Sequence, residues 1–198
     1  MTTRWIISAL IFLTLTQCKQ ELLPENYVQW IKNKENGLLL EKKLSSSVYQ
    51  LQYCPPEYMA LISANGNQNF KGEYNKRKKD FQNSLNFTLK LIDLKTNDIL
   101  KSNLRLKNEE FKRIRYFSEE ISSDVYLLTK SDTISCTLSH FERTYNASPG
   151  ITINLSFEKE IKMDNPIKLI WFDRVFTNQQ IEYNVEPIFA KELPHIKL

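Results

Sequence analysis

Four segments in the second half of this chain alternate apolar and polar residues at a period of two. That pattern fits an extended strand with one buried face and one wet face. In Ile151–Glu158, the residues Ile151, Ile153, Leu155 and Phe157 oppose Thr152, Asn154, Ser156 and Glu158. Phe87, Leu89 and Leu91 alternate in the same way through Asn86–Asp93, and Ile181, Tyr183 and Val185 through Gln180–Glu186. In Thr133–Phe141 the apolar set is Ile134, Cys136 and Leu138, which predicts that His140 shares their inner face. Clean alternation favours antiparallel sheets with one solvated side. Val125–Thr129 and Ile167–Phe172 are apolar more continuously, so central positions are expected for them. Asp164-Asn165-Pro166 and Thr177-Asn178 supply turns between the last strands.

Helical signals are fewer. Pro24 suits a first helical turn, and Tyr27, Trp30 and Ile31 fall on one face before Asn36-Gly37 ends the run. Leu38–Tyr53 reads as one or two strands stopped by Pro55-Pro56, followed by a short helix over Glu57–Ile62. Ala64–Asn83 is polar, with Asn65-Gly66-Asn67 and the run Lys76-Arg77-Lys78-Lys79, and reads as a loop. Asn108 before Glu109 and Glu110, then Phe111, Ile114 and Phe117, predicts one helix between strands. The fold class expected is mainly β: an antiparallel β-sandwich-like domain with one or two peripheral helices.

The chemistry-bearing residues are sparse, and their spacing argues against an enzyme. Only 4 Gly occur and no Gly-x-Ser-x-Gly turn, so neither a phosphate cradle nor a nucleophile elbow is expected, and no cofactor is called for. The 2 His, His140 and His195, share no metal-ligand spacing with Cys or carboxylates, so no metal site is expected. Cys136 and His140 on one strand would lie about 13 Å apart, too far for a nucleophile–base pair. Glu109-Glu110 and Glu119-Glu120 read as solvated helix surface. The basic run Lys76–Lys79, with Lys71 and Arg113, reads as a solvated tip or as a contact for lipid phosphates. A net charge of +4, from 27 basic and 23 acidic side chains, is too even to imply nucleic acid. No catalytic residue is assigned.

The first residues carry a different signal. Arg4 precedes an apolar stretch from Trp5 to Leu15, which falls short of the roughly 20 residues that span a bilayer and suits a secretory signal. Leu15-Thr16-Gln17-Cys18 closes it and resembles the lipobox of bacterial lipoproteins. That resemblance implies a signal peptide over residues 1–17, a diacylglycerol-modified Cys18, a tether over 18–26, and one β-rich domain over 27–198 with an N-terminal helical extension. Of the 3 Cys, Cys54 and Cys136 then remain, and an exported chain leaves open a disulfide between them or two free buried thiols.

The whole chain is similar to small lipoproteins common in Bacteroidota. Besides the lipobox and Lys19, the residues that carry this are Tyr27-Val28-Gln29-Trp30-Ile31, Glu35-Asn36-Gly37-Leu38, Gln52-Tyr53-Cys54-Pro55-Pro56-Glu57-Tyr58 and His140-Phe141-Glu142-Arg143-Thr144-Tyr145. The resemblance brings no activity with it. It implies an outer-membrane location, since Lys19 rather than Asp follows the cysteine. Glu21 and Glu25 make a thin version of an acidic surface-export tag, which leaves the periplasmic face and the cell surface both open. Asp132-Thr133-Ile134 is similar to the O-glycosylation acceptor of the same phylum. The function expected is a non-enzymatic binding or assembly module, held to the membrane by its lipid and joined to an envelope protein through a sheet face or edge. The alternative is a periplasmic immunity or inhibitor lipoprotein acting on a delivered toxin.

Overall fold

Each alternating segment forms a strand in the computed structural model, which describes residues 21–96, 98–143, 150–158, 166–189 and 191–198. In chain order the elements are β1 (Glu21–Leu22), α1 (Pro24–Lys32), β2 (Leu39–Leu44), β3 (Ser47–Cys54), α2 (Pro56–Ala64), α3 (Phe70–Phe81), β4 (Ser84–Asp93) and α4 (Glu109–Arg115). They continue as β5 (Val125–Leu128), β6 (Thr133–Glu142), β7 (Gly150–Glu158), β8 (Lys168–Asp173), β9 (Gln179–Asn184), α5 (Glu186–Phe189) and β10 (His195–Ile196). The lipobox, Cys18, Thr144, Tyr145, Asp164 and Asn165 lie outside the described residues.

Eight strands pair antiparallel in the order β2-β3-β4-β7-β6-β5-β8-β9, which makes the domain β-rich and antiparallel. The two halves of this one sheet face each other, as the Tyr49 ring of β3 at 5.7 Å from that of Trp171 on β8 shows. The sheet curls on almost to a closed barrel. The expected central strands β5 and β8 are internal. Tyr49, Leu51, Leu89, Ile153, Leu127, Leu169 and Trp171 fill the interior with no measurable exposure. Phe189 of α5 packs on Tyr53 at one end, and Phe117 stacks on Phe176 at the other. Removing this much aliphatic and aromatic surface from water is the main stabilising term.

Several expectations need correction. β6 carries a bulge: Cys136 pairs with Phe157, but Leu138 pairs with Ser156, so one extra residue sits between them. An extra residue reverses the faces beyond it. Leu138 is therefore 64% exposed and His140 is exposed rather than inward, while Phe141 turns in against Phe117 at 5.9 Å. Leu38–Tyr53 is two strands joined at Ser45-Ser46, with Ser45 in the left-handed region at φ 55. Residues 70–81, read as loop, form α3. Asn69 caps it by accepting from the Gly72 N–H at 3.3 Å, and Phe70 and Tyr74, one turn apart, anchor it to the core. With α1, α2 and α4 it makes more helix than the one or two elements expected.

The tether is also shorter than expected. Glu21 and Leu22 pair in parallel with His195 and Ile196, and α1 begins at Pro24 and buries Tyr27 and Ile31. The boundary drawn at residue 27 therefore falls inside folded structure, and α1 belongs to the domain. α1 stops at Lys32, short of the Asn36-Gly37 end expected for it, and Gly37, at φ 73, ends the separate turn Lys34–Asn36 that follows. No described helix is long and apolar enough to cross a membrane.

Candidate functional site

The structure separates the two cysteines. Cys54 lies on the outer face of β3, with its sulfur 3.4 Å from Thr88 Oγ1, and Cys136 lies on the inner-facing row of β6. β4 and β7 stand between their strands, and three ladder steps of about 4.8 Å put the pair beyond disulfide reach. Both are free thiols. Burial pushes the Cys54 thiol up to about 11, which keeps it protonated and a poor nucleophile. His140 joins Cys54, Thr88, Asn154, Ser156 and Asp80 around a groove of about 300 Å³ beneath the ends of α2 and α3. Its floor is bonded within itself. Thr88 Oγ1 donates to Asn154 Oδ1 at 2.9 Å, Asn154 Nδ2 to Glu142, and Ser156 Oγ to Asn86.

The other sequence candidates resolve as scaffold. Arg113 is buried; it donates to the carbonyls of Ile99, Leu100 and Ser102 and so ties that turn to α4, away from the basic run. Within the run, Arg77 pairs with Glu73 at 2.7 Å and Lys78 with Glu57 at 2.9 Å. Glu109 accepts from the Arg105 N–H, which comes first among the causes that lower its carboxyl, and from Leu106 and Arg113. Glu120 pairs with Arg115. His195 sits on the short strand β10. Among the described residues, no group of three His, Cys, Asp or Glu side chains converges to hold a metal.

The feature that single-strand patterns could not reveal is the line where the sheet fails to close. β2 and β9 are its two edges, and each has only one neighbouring strand among the described residues. Between them runs a groove of about 360 Å³ lined by Leu40, Glu41, Lys42, Lys168, Glu182, Tyr183 and Asn184. The main-chain groups facing this seam follow from the ladder, because in an antiparallel pair bonded residues alternate with residues whose N–H and C=O point away. Tyr53 N–H donates to Leu38 O at 2.9 Å, so Leu40, Lys42 and Leu44 bond toward β3. Leu39, Glu41 and Lys43 therefore turn their backbones to the seam. On the other side, Val185 N–H donates to Ile167 O at 3.1 Å, which leaves Gln180, Glu182 and Asn184 facing the seam in the same way.

The seam's charges are unevenly satisfied. Glu41 accepts from Lys34 at 2.6 Å and from Gln50 at 2.9 Å; these bonds, Lys34 first, hold its carboxyl below the usual range. Glu182 accepts from Lys168 at 3.1 Å and from Gln180 at 2.8 Å, with the same result. Lys42 shares its side of β2 with Leu40 and Leu44 and reaches over Tyr183, its ammonium 5.9 Å from the ring centroid. No carboxylate lies within ion-pair distance of it among the described residues. The Tyr183 hydroxyl is buried and has no partner among the described residues.

Fold and seam together describe a β-rich domain with an incompletely closed antiparallel sheet. No family model, curated protein or solved structure matches the chain.

Proposed function

We propose that this chain is an envelope lipoprotein anchored through Cys18, whose folded domain is a non-enzymatic binding module that joins a protein partner at the edges of β2 and β9. The observation carrying this reading is the pair of unpaired edges facing each other across one groove. Exposed edges with free main-chain donors and acceptors are templates for another strand, and proteins that do not use them usually cover or interrupt them. The anchor and the outer-membrane location rest on the lipobox and Lys19.

The test is photo-cross-linking in intact cells of the native organism. A photoreactive side chain replaces Asn184 at the seam or, as a control, exposed Ser135 on β6, which is paired on both sides. The expected result is one partner captured from position 184 and not from 135. Equal capture from both positions, or none from 184, overturns the reading. Capture of a delivered toxin would select the inhibitor form of the same proposal.

A further inference from the structure

We infer that the seam takes a single extended segment of a partner polypeptide, and that this segment presents an acidic side chain to Lys42. The inference rests on the binding reading above and gives the partner's chemistry. Main-chain recognition comes first: Leu39, Glu41 and Lys43 on one side, and Gln180, Glu182 and Asn184 on the other, supply N–H and C=O groups at strand spacing. Because neighbours alternate in direction around eight strands, β2 and β9 run opposite ways. One inserted strand must therefore run antiparallel to one edge and parallel to the other, so the two possible orientations are inequivalent.

Side-chain recognition follows from the pleat. Alternate residues of the inserted segment face inward and meet Leu40, Lys42, Leu44 and the Tyr183 ring. The seam's own acids are already engaged, Glu41 by Lys34 and Glu182 by Lys168, while Lys42 has the face of Tyr183 and a longer-range attraction to Glu182 but no carboxylate within ion-pair distance among the described residues. Lys42 stands on the inner row of β2 opposite Tyr49 and is still exposed at the seam, and an ammonium so placed on an edge strand penalises pairing with an indiscriminate apolar strand. It favours a segment that brings a carboxylate to the same place, and so attracts one partner class by the feature that repels the rest.

The test uses the full chain, purified from membranes in detergent and isotope-labelled for amide NMR. The probes are two short soluble peptides of alternating threonine and valine, one with a central glutamate and the other with a central lysine. The expected result is saturable shifts at the amides of Glu41, Lys43, Glu182 and Asn184, with roughly tenfold tighter binding of the glutamate peptide. The preference should vanish in Lys42→Ala and reverse in Lys42→Glu. Glu182→Pro, which removes a seam-facing donor and no β8–β9 ladder bond, should weaken both peptides while leaving the thermal midpoint nearly unchanged. Equal affinity for the two peptides overturns the acidic specificity and leaves the binding reading standing. Shifts confined to other surfaces, or concentration-dependent broadening at the seam without peptide, overturn strand insertion. Failure of the cross-linking test above removes the binding reading itself.

Discussion

Asp173, at the end of β8, has no measurable exposure and stays satisfied by gathering donors. It accepts from Tyr49 Oη at 3.0 Å, from the N–H groups of Val175, Phe176 and Thr177, and from Thr177 Oγ1. Asp173→Ala should cost about 3 kcal/mol in chemical denaturation, because it strands buried donors as well as losing their bonds. A loss below about 1 kcal/mol would show that the turn closes without it. The bulge in β6 makes a sharper contrast. Leu138→Ala should change stability by less than about 0.5 kcal/mol and Phe141→Ala should cost about 2 kcal/mol, the reverse of what alternation through Cys136 and Leu138 predicts. At Cys18, replacement by Ala should abolish fatty-acid labelling and release the protein from the membrane fraction; retention of both would refute the anchor.

The elements differ in how openly they announce themselves. β4, β7 and β9 could be read in the sequence because each buries one face, and hydrophobic burial writes a period of two into the residues. α3 could not, since only Tyr74 of its residues is buried and its surface is polar, with Arg77 paired to Glu73 and Lys78 to Glu57. Its start depends on Asn69, so Asn69→Ala should cost about 1 kcal/mol by thermal denaturation. A neutral result would mean that packing of Phe70 and Tyr74 suffices. The bulge was equally hidden: Thr133–Phe141 continues its alternation on paper, and the extra residue shows only against the fixed register of β7.

At the scale of the molecule, the interior is rich in tyrosine. Burial lifts the hydroxyls of Tyr53, Tyr58 and Tyr74 from the ordinary 10 to about 12, and moves Tyr27, Tyr49, Tyr116 and Tyr183 in the same direction. A hydroxyl that holds its proton more tightly when folded contributes stability in full below its unfolded pKa, and loses it as pH rises through the folded value. Stability should therefore fall between about pH 10 and pH 12, with tyrosinate absorbance appearing together with unfolding. A denaturation midpoint that stays flat across that window would contradict the burial of this cluster.

Residue order by itself determined the class: β-rich, antiparallel and short of glycine, behind an N-terminal stretch that resembles a lipoprotein signal. Those properties are local, since they come from periodicity, composition and adjacency, and a chain displays them before it folds. Only the tertiary structure decided which strands became edges, how far the sheet closed, and that Lys42 and Tyr183, distant along the chain, share one groove. Strand neighbours are chosen by the packing of the whole interior, and no local pattern carries that information. The separation of Cys54 from Cys136 and the outward turn of His140 have the same origin, for both depend on register with strands elsewhere in the sequence.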